Sequence, residues 1–351
     1  MKVSILCFSL TGFQTGTRLK EALQSANCEV RLDGKSKYIE NSIEESHTDW
    51  TASQFETADV IVFVGACGIA VRSIAPFVKS KKSDPAVLVI DECGKFVISL
   101  LSGHIGGANE FTLKVADLLH AEPVITTATD LHDAFAVDVF ATKNDCAIFP
   151  LMNAKEFSAA LLAGEAVGFY SDFECEGELP KGLVRCDVNG LASTGERPEV
   201  GVAVTVKKSC RPFDKTVYVV PKAVALGMGC RREKEAPAVF EAAKQTLEDS
   251  GLFKEALSCI ASIDLKKDEV GLISLSEDWN LPFITYTEAE LQSVQGEFSS
   301  SVFVRTITGV DNVCERSAVF AAGNGPLIQK KYKGDGVTTA LALSNWRFHF
   351  E

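Results

Sequence analysis

No stretch of this 351-residue chain reaches the roughly 18 uninterrupted apolar residues that a membrane-spanning helix needs. The opening MKVSILCFSL is too short an apolar run, and too poor in positive charge, for a signal peptide. It reads directly as a first strand. The eleven cysteines contain no C-x-x-C pair and their number is odd, which excludes a disulfide frame or zinc knuckle and fits reduced thiols in a cytoplasmic protein. The five histidines form no H-E-x-x-H or other helical ligand pair, so no protein-bound metal is expected. Positive charge is also in deficit: 35 Lys plus Arg against 47 Asp plus Glu give a net charge of -12. Such a field repels nucleic acid and anionic membranes, and an anionic ligand would need local basic loops.

What the chain does have is enough apolar character, 46%, to bury a core in each of two or three domains. Over residues 1–134, short Val- and Ile-rich runs (KVSILCFS, EVRLD, DVIVFVGA, AVLVID, KFVISLL, PVITTAT) alternate with amphipathic stretches. That pattern predicts an α/β domain with a mainly parallel sheet and helices on both faces. From 135 to 221 the pattern loosens into a smaller middle module, with a helix over NAKEFSAALLAG, strands AVGFYS, GVAVTV and TVYVVP, and a turn-rich acidic stretch between them. From 222 to 351 a second α/β pattern begins with AVALGMG and continues through a helix over 236–250, IASIDL, PFITYT and GVTTALAL.

In parallel sheets, ligands bind at loops beyond the carboxyl ends of the strands, so those loops carry the candidate site. VFVGACGIAVRSIAP places Gly65 and Gly68 after a strand and Arg72 on the first turn of the next helix, where a guanidinium can hold a carboxylate. Asp91 and Glu92 end the next strand; a partly buried Glu92 would suit proton transfer. The run Ser102, Gly103, His104, Ile105, Gly106, Gly107, Ala108, Asn109 puts three glycines and a histidine at a strand-to-helix junction. The glycines would let a ligand approach the backbone, and His104 would stand beside it as an acid/base group. Thr126, Thr127 and Asp130 offer oxygens at the end of PVITTATD.

In the last domain GMGCRREKEAP places Gly229 after a strand, then Arg231 and Arg232 ahead of a helix, and ASIDLKKDE adds Asp264 and Lys266. Arg232 stands where a dinucleotide fingerprint needs its third glycine, which argues against a nicotinamide site. The lysines of IQKKYKGDGVT read as a solvated charged loop.

GACGIAVRSIAP, DPAVLVIDECGKFVISLLSGHIGGAN and PVITTATD resemble the N-terminal domain of the cobalt-precorrin-5A hydrolase family, and LGMGCRR, ASIDLKKDE and GVTTALAL its C-terminal domain. The resemblance implies a cobalt-bearing, ring-contracted tetrapyrrole whose δ-lactone is opened by water. The C-20 two-carbon fragment then leaves as acetaldehyde, giving cobalt-precorrin-5B. Cobalt would arrive inside the substrate, so no cofactor is implied. On residue chemistry, His104 takes the acid/base role with Glu92 in support, the Gly106 to Asn109 amides hold the oxyanion, and basic loops in both α/β domains grip the carboxylates. The partners expected are this small molecule, no nucleic acid and no membrane, with a homodimer left open. A non-catalytic corrinoid carrier and a nucleotide-dependent oxidoreductase are the competing readings.

Overall fold

The computed structural model describes residues 1–80, 83–104, 106–127 and 134–350. The chain divides into two compact units, Met1–Ala134 and Phe135–Glu351. Among the described residues no helix is long and apolar enough to cross a membrane.

The first unit is built on six strands, β1 (Lys2–Cys7), β2 (Glu29–Gly34), β3 (Val60–Val64), β4 (Ala86–Ile90), β5 (Phe96–Leu101) and β6 (Glu122–Val124), in the order β2-β1-β3-β4-β5-β6. β1 to β4 are mutually parallel, as expected. β5 runs antiparallel to β4, and β6 follows β5 in parallel. The VIVFV and AVLVI runs are apolar at every position because both faces are covered, and successive side chains enter different cores. Val60, Val62 and Val64 pack with α1 (Leu10–Ser25) and α4 (Ala108–Leu119), whereas Ile61 and Phe63 pack with α2 (His47–Thr57) and α3 (Cys67–Ile74). Nothing in its apolar spacing announces α2, since two of its three buried side chains are Thr51 and Gln54, the latter accepting from Ser4 Oγ at 2.7 Å.

The second unit holds two five-stranded sheets. One contains β7 (Cys146–Phe149), β8 (Val167–Ser171), β10 (Leu183–Arg185), β11 (Val200–Val204) and β12 (Lys215–Pro221), with α5 (Val137–Lys143) and α6 (Leu151–Leu162) alongside. The other has the order β15-β14-β13-β17-β16, from β13 (Val224–Cys230), β14 (Leu257–Ile263), β15 (Phe283–Tyr286), β16 (Leu327–Gly334) and β17 (Val337–Leu343). Its first three strands are parallel, and β17 is antiparallel to both its neighbours. Helices α7 (Ala236–Ser250) and α8 (Val270–Trp279) cover one face and α11 (Cys314–Ala321) the other; the shorter α9 (Glu288–Ser293) and α10 (Val302–Thr308) precede α11. Val206 and Val220 join the core under α7, so both sheets share apolar packing. A parallel pair, β9 (Glu174–Glu176) with β18 (Arg347–His349), clips residues 347–349 to the first of these sheets, where Phe348 and Phe350 meet Phe140 and Phe169.

Two sequence expectations are corrected by this fold. Gly229 does not follow a strand but lies inside β13 with Gly227, opposite Thr338 of β17. A Cβ on Gly227 would stand 1.9 Å from the Cys314 carbonyl, so that glycine serves the close seating of α11. The stretch carrying Lys330, Lys331 and Lys333 is the edge strand β16, not a loop; charged side chains protect such an edge from pairing with another chain.

Candidate functional site

Because β5 reverses direction, the loops singled out in the first unit fall at opposite edges of its sheet. At one edge, beyond β1, β3 and β4, Ser9 caps α1 by accepting from the Gly12 amide and donates to Glu92 Oε2 at 2.6 Å, while Thr15 donates to the Glu92 carbonyl. Glu92 is exposed, so it lacks the burial that a proton-transfer role was expected to draw on. Asp91 caps the β4–β5 turn by accepting from the amides of Cys93, Lys95 and Phe96. Gly65 and Gly68 belong to this edge. Arg72 does not sit on the first turn of α3: the helix starts at Cys67, which puts Arg72 in the last turn, and its guanidinium folds back onto the Gly68 carbonyl at 3.0 Å. His47, which nothing in the sequence singled out, accompanies them, with its ring against Phe8 and its Nδ1 2.8 Å from Ser73 Oγ.

The second edge gathers Ser102, Gly103, His104, Gly106, Gly107 and Asn109 with the exit of β6. Leu101 pairs with Val87, at the far end of β4 from Glu92. A strand rises about 3.3 Å per residue, so the length of β5 separates Glu92 from His104 by roughly 20 Å, and Glu92 cannot support that histidine within this unit. Asn109, buried, ties the edge together: its Oδ1 accepts from Ser99 Oγ at 2.6 Å and its Nδ2 donates to Thr127 Oγ1 at 3.0 Å. Ser102 Oγ donates to the carbonyl of Asp84, whose own buried carboxylate accepts from the Lys79 and Ser80 amides. Sequence spacing gave no sign of Asp84. Thr126 is exposed beside this cluster; Ile105 and Asp130 lie outside the described residues.

The oxyanion assignment to the Gly106–Asn109 amides is overturned for three of the four. Gly107 N–H donates to the His104 carbonyl, Ala108 N–H to Ser102 and Asn109 N–H to Gly103, because the loop closes its own turns as it enters α4. The glycines are likewise explained from inside the loop: a Cβ on Gly103 would stand 2.8 Å from Asn109 Oδ1, and one on Gly106 2.4 Å from Ser102 Cβ. Gly107, at φ 77°, would carry its Cβ into open space. Gly106→Ala is therefore expected to lower the urea midpoint more than Gly107→Ala, whose left-handed strain costs about 1 kcal/mol. Equal midpoints for the two variants would contradict this packing.

In the second unit the strand exits do converge. Glu269, buried at the head of α8, accepts from the Lys234 amide at 3.1 Å and pairs with Lys266 Nζ at 2.9 Å. Lys234 Nζ meets Asp335 in the β16–β17 turn, and the Arg231 amide donates to the Gly336 carbonyl. Arg231 and Arg232 are exposed, and neither is ion-paired with a described residue; Asp264 opens the short turn that carries Lys266. A cleft of about 430 Å³ lies here, lined by Arg232, Lys234 and Leu265 together with the acids Glu233, Glu235, Asp268 and Glu269. Burial pushes the Cys230 thiol up to about 11, with Lys266 opposing and Glu269 reinforcing that shift, so at neutral pH it is a thiol and no nucleophile.

Geometry thus defines an α/β protein with one histidine-bearing loop site and one strand-edge site where basic and acidic side chains meet. Matches to known proteins make the class specific. Residues 49–130 match the family model described as cobalamin synthesis G N-terminal, 135–221 the cobalamin biosynthesis central region, and 224–342 the cobalamin synthesis G C-terminus. A cobalt-precorrin-5A hydrolase from Salmonella typhimurium is 37% identical over 84% of this chain and 85% of its own length. One from Priestia megaterium is 33% identical over 83% and 80%. Protein CobE from Sinorhizobium sp. is 30% identical over 34% of this chain and 79% of its own. The chain belongs to the cobalamin synthesis G family.

Proposed function

We infer that this chain is a cobalt-precorrin-5A hydrolase. The observation that carries the reading is the 37% identity to a protein of that name along most of both chains, and it is supported by the histidine-bearing loop and by the exposed Arg231 and Arg232. Water adds to the lactone carbonyl and opens the ring. Deprotonation of the freed C-20 hydroxyl then forms the aldehyde C=O as the bond to the macrocycle breaks; the conjugated ring keeps the bonding electron pair and acetaldehyde leaves, with no net change of oxidation state. No redox cofactor is needed, and cobalt enters with the substrate.

His104, half-buried beyond β5, is the acid/base group in this reading. Arg231 and Arg232 supply cations for the substrate's carboxylates, Lys266 being engaged by Glu269. The test is incubation with cobalt-precorrin-5A and trapping of acetaldehyde. Stoichiometric release is expected; tight binding without release would make the chain a corrinoid carrier instead. Sedimentation of the pure protein settles whether the active species is a homodimer.

A further inference from the structure

Opening a lactone with water passes through a tetrahedral carbon whose oxygen carries negative charge, and a hydrolase needs a donor aimed at that oxygen. Beside His104 the main chain is a poor source, because the amides of Gly107, Ala108 and Asn109 are committed to carbonyls of the loop itself. Side chains offer a donor instead. Ser99 Oγ donates to Asn109 Oδ1 at 2.6 Å, and Asn109 Nδ2 donates to Thr127 Oγ1 at 3.0 Å. A threonine hydroxyl has lone pairs to accept with but a single proton to give. Thr127 takes the Asn109 bond on a lone pair and donates to none of the described residues, so its proton points away from Asn109. Bonds from three segments meet at Asn109, which is 5% exposed: Ser99 of β5, Gly103 of the loop, and Thr127 beyond β6. A hydroxyl that already accepts such a bond is a stronger donor in its turn. Its place is close to His104. Gly103, the preceding residue, would carry a Cβ 3.2 Å from Asn109 Nδ2, the atom that holds Thr127. Thr127 is half-buried, within reach of a ligand.

We propose that Thr127 is a catalytic residue whose hydroxyl donates a hydrogen bond to the lactone oxyanion, a role that rests on the hydrolase reading with His104 as the acid/base group. Water adds to the lactone carbonyl carbon and gives a proton to His104. The C=O electron pair moves onto the carbonyl oxygen, where the Thr127 O–H meets it. As that pair returns, the acyl C–O bond breaks and the C-20 oxygen takes the proton back from His104. Thr127 keeps its own proton throughout. Asn109 acts through Thr127 as a positioning residue, turning the hydroxyl proton outward.

The experiment measures acetaldehyde release from cobalt-precorrin-5A by the full-length protein and separates kcat from KM. Thr127→Val keeps the shape and loses the hydroxyl. Its kcat should fall about a hundredfold or more with KM unchanged, because the oxyanion forms only on the way to the transition state. Thr127→Ser keeps the hydroxyl and should recover most of that rate. Asn109→Asp puts an acceptor where Thr127 met a donor, so the Thr127 proton turns inward and kcat should fall as in the valine variant. A Thr127→Val kcat within about threefold of wild type overturns the assignment and leaves the hydrolase reading standing. So does a Thr127→Ser variant as slow as the valine at a wild-type urea midpoint, since the hydroxyl would then not be what the reaction uses. Normal turnover in a folded Asn109→Asp variant overturns the relay that orients Thr127. No acetaldehyde from the wild-type protein refutes the hydrolase reading itself, and the oxyanion role with it.

Discussion

Replacing His104 by Ala is expected to lower acetaldehyde release about a hundredfold or more while leaving the fold intact, the usual scale for loss of an acid/base group. The loop's backbone bonds run between Ser102, Gly103, His104, Gly107, Ala108 and Asn109 and involve only main-chain atoms, so the alanine variant retains them. Asn109 continues to anchor the loop through Ser99 and Thr127. His104→Gln, which keeps hydrogen-bonding capacity but cannot titrate in this range, should be as slow as the alanine. Near-normal turnover in either variant, measured beside an unchanged urea midpoint, would move the acid/base role elsewhere.

Glu315→Ala is expected to cost about 3 kcal/mol or more of stability. The carboxylate is fully buried and accepts four hydrogen bonds, so its removal leaves the buried Asn312 amide and the part-buried donors of Ser299 and Lys331 without their acceptor. Glu315→Gln keeps one acceptor oxygen and turns the other position into a donor facing donors, so it should recover only part of the loss. With a urea slope of about 3 kcal/mol/M, the alanine midpoint falls by about 1 M. A midpoint within about 0.2 M of wild type would show that water replaces the carboxylate without penalty.

Much of the fold was legible because burial imposes itself on composition: the all-apolar β3 and β4, and the helices over 108–119 and 236–250, follow directly from period and length. The candidate loops were legible too, but their grouping was not. Strand direction leaves no mark on a short apolar run, so nothing in KFVISLL says that it runs against β4. That reversal removed Glu92 from the company of His104. Arg72 was misplaced because the start of a helix without a side-chain cap has no sequence signal. Glu315 and Asp84 were missed for a related reason, since a buried carboxylate satisfied by amides looks in the sequence like any surface acid.

The clip between β9 and β18 bears on how the polypeptide comes into being. Arg347 and Glu176, whose side chains bond across it, are 171 residues apart. A ribosome must deliver the entire β13–β17 sheet before the sheet of β7, β8 and β10 to β12 receives Phe348, a fully buried ring of its aromatic cluster. Until then that cluster stays open to water, and a nascent chain would depend on chaperones, or on rapid closure, to keep it from sticking to its neighbours.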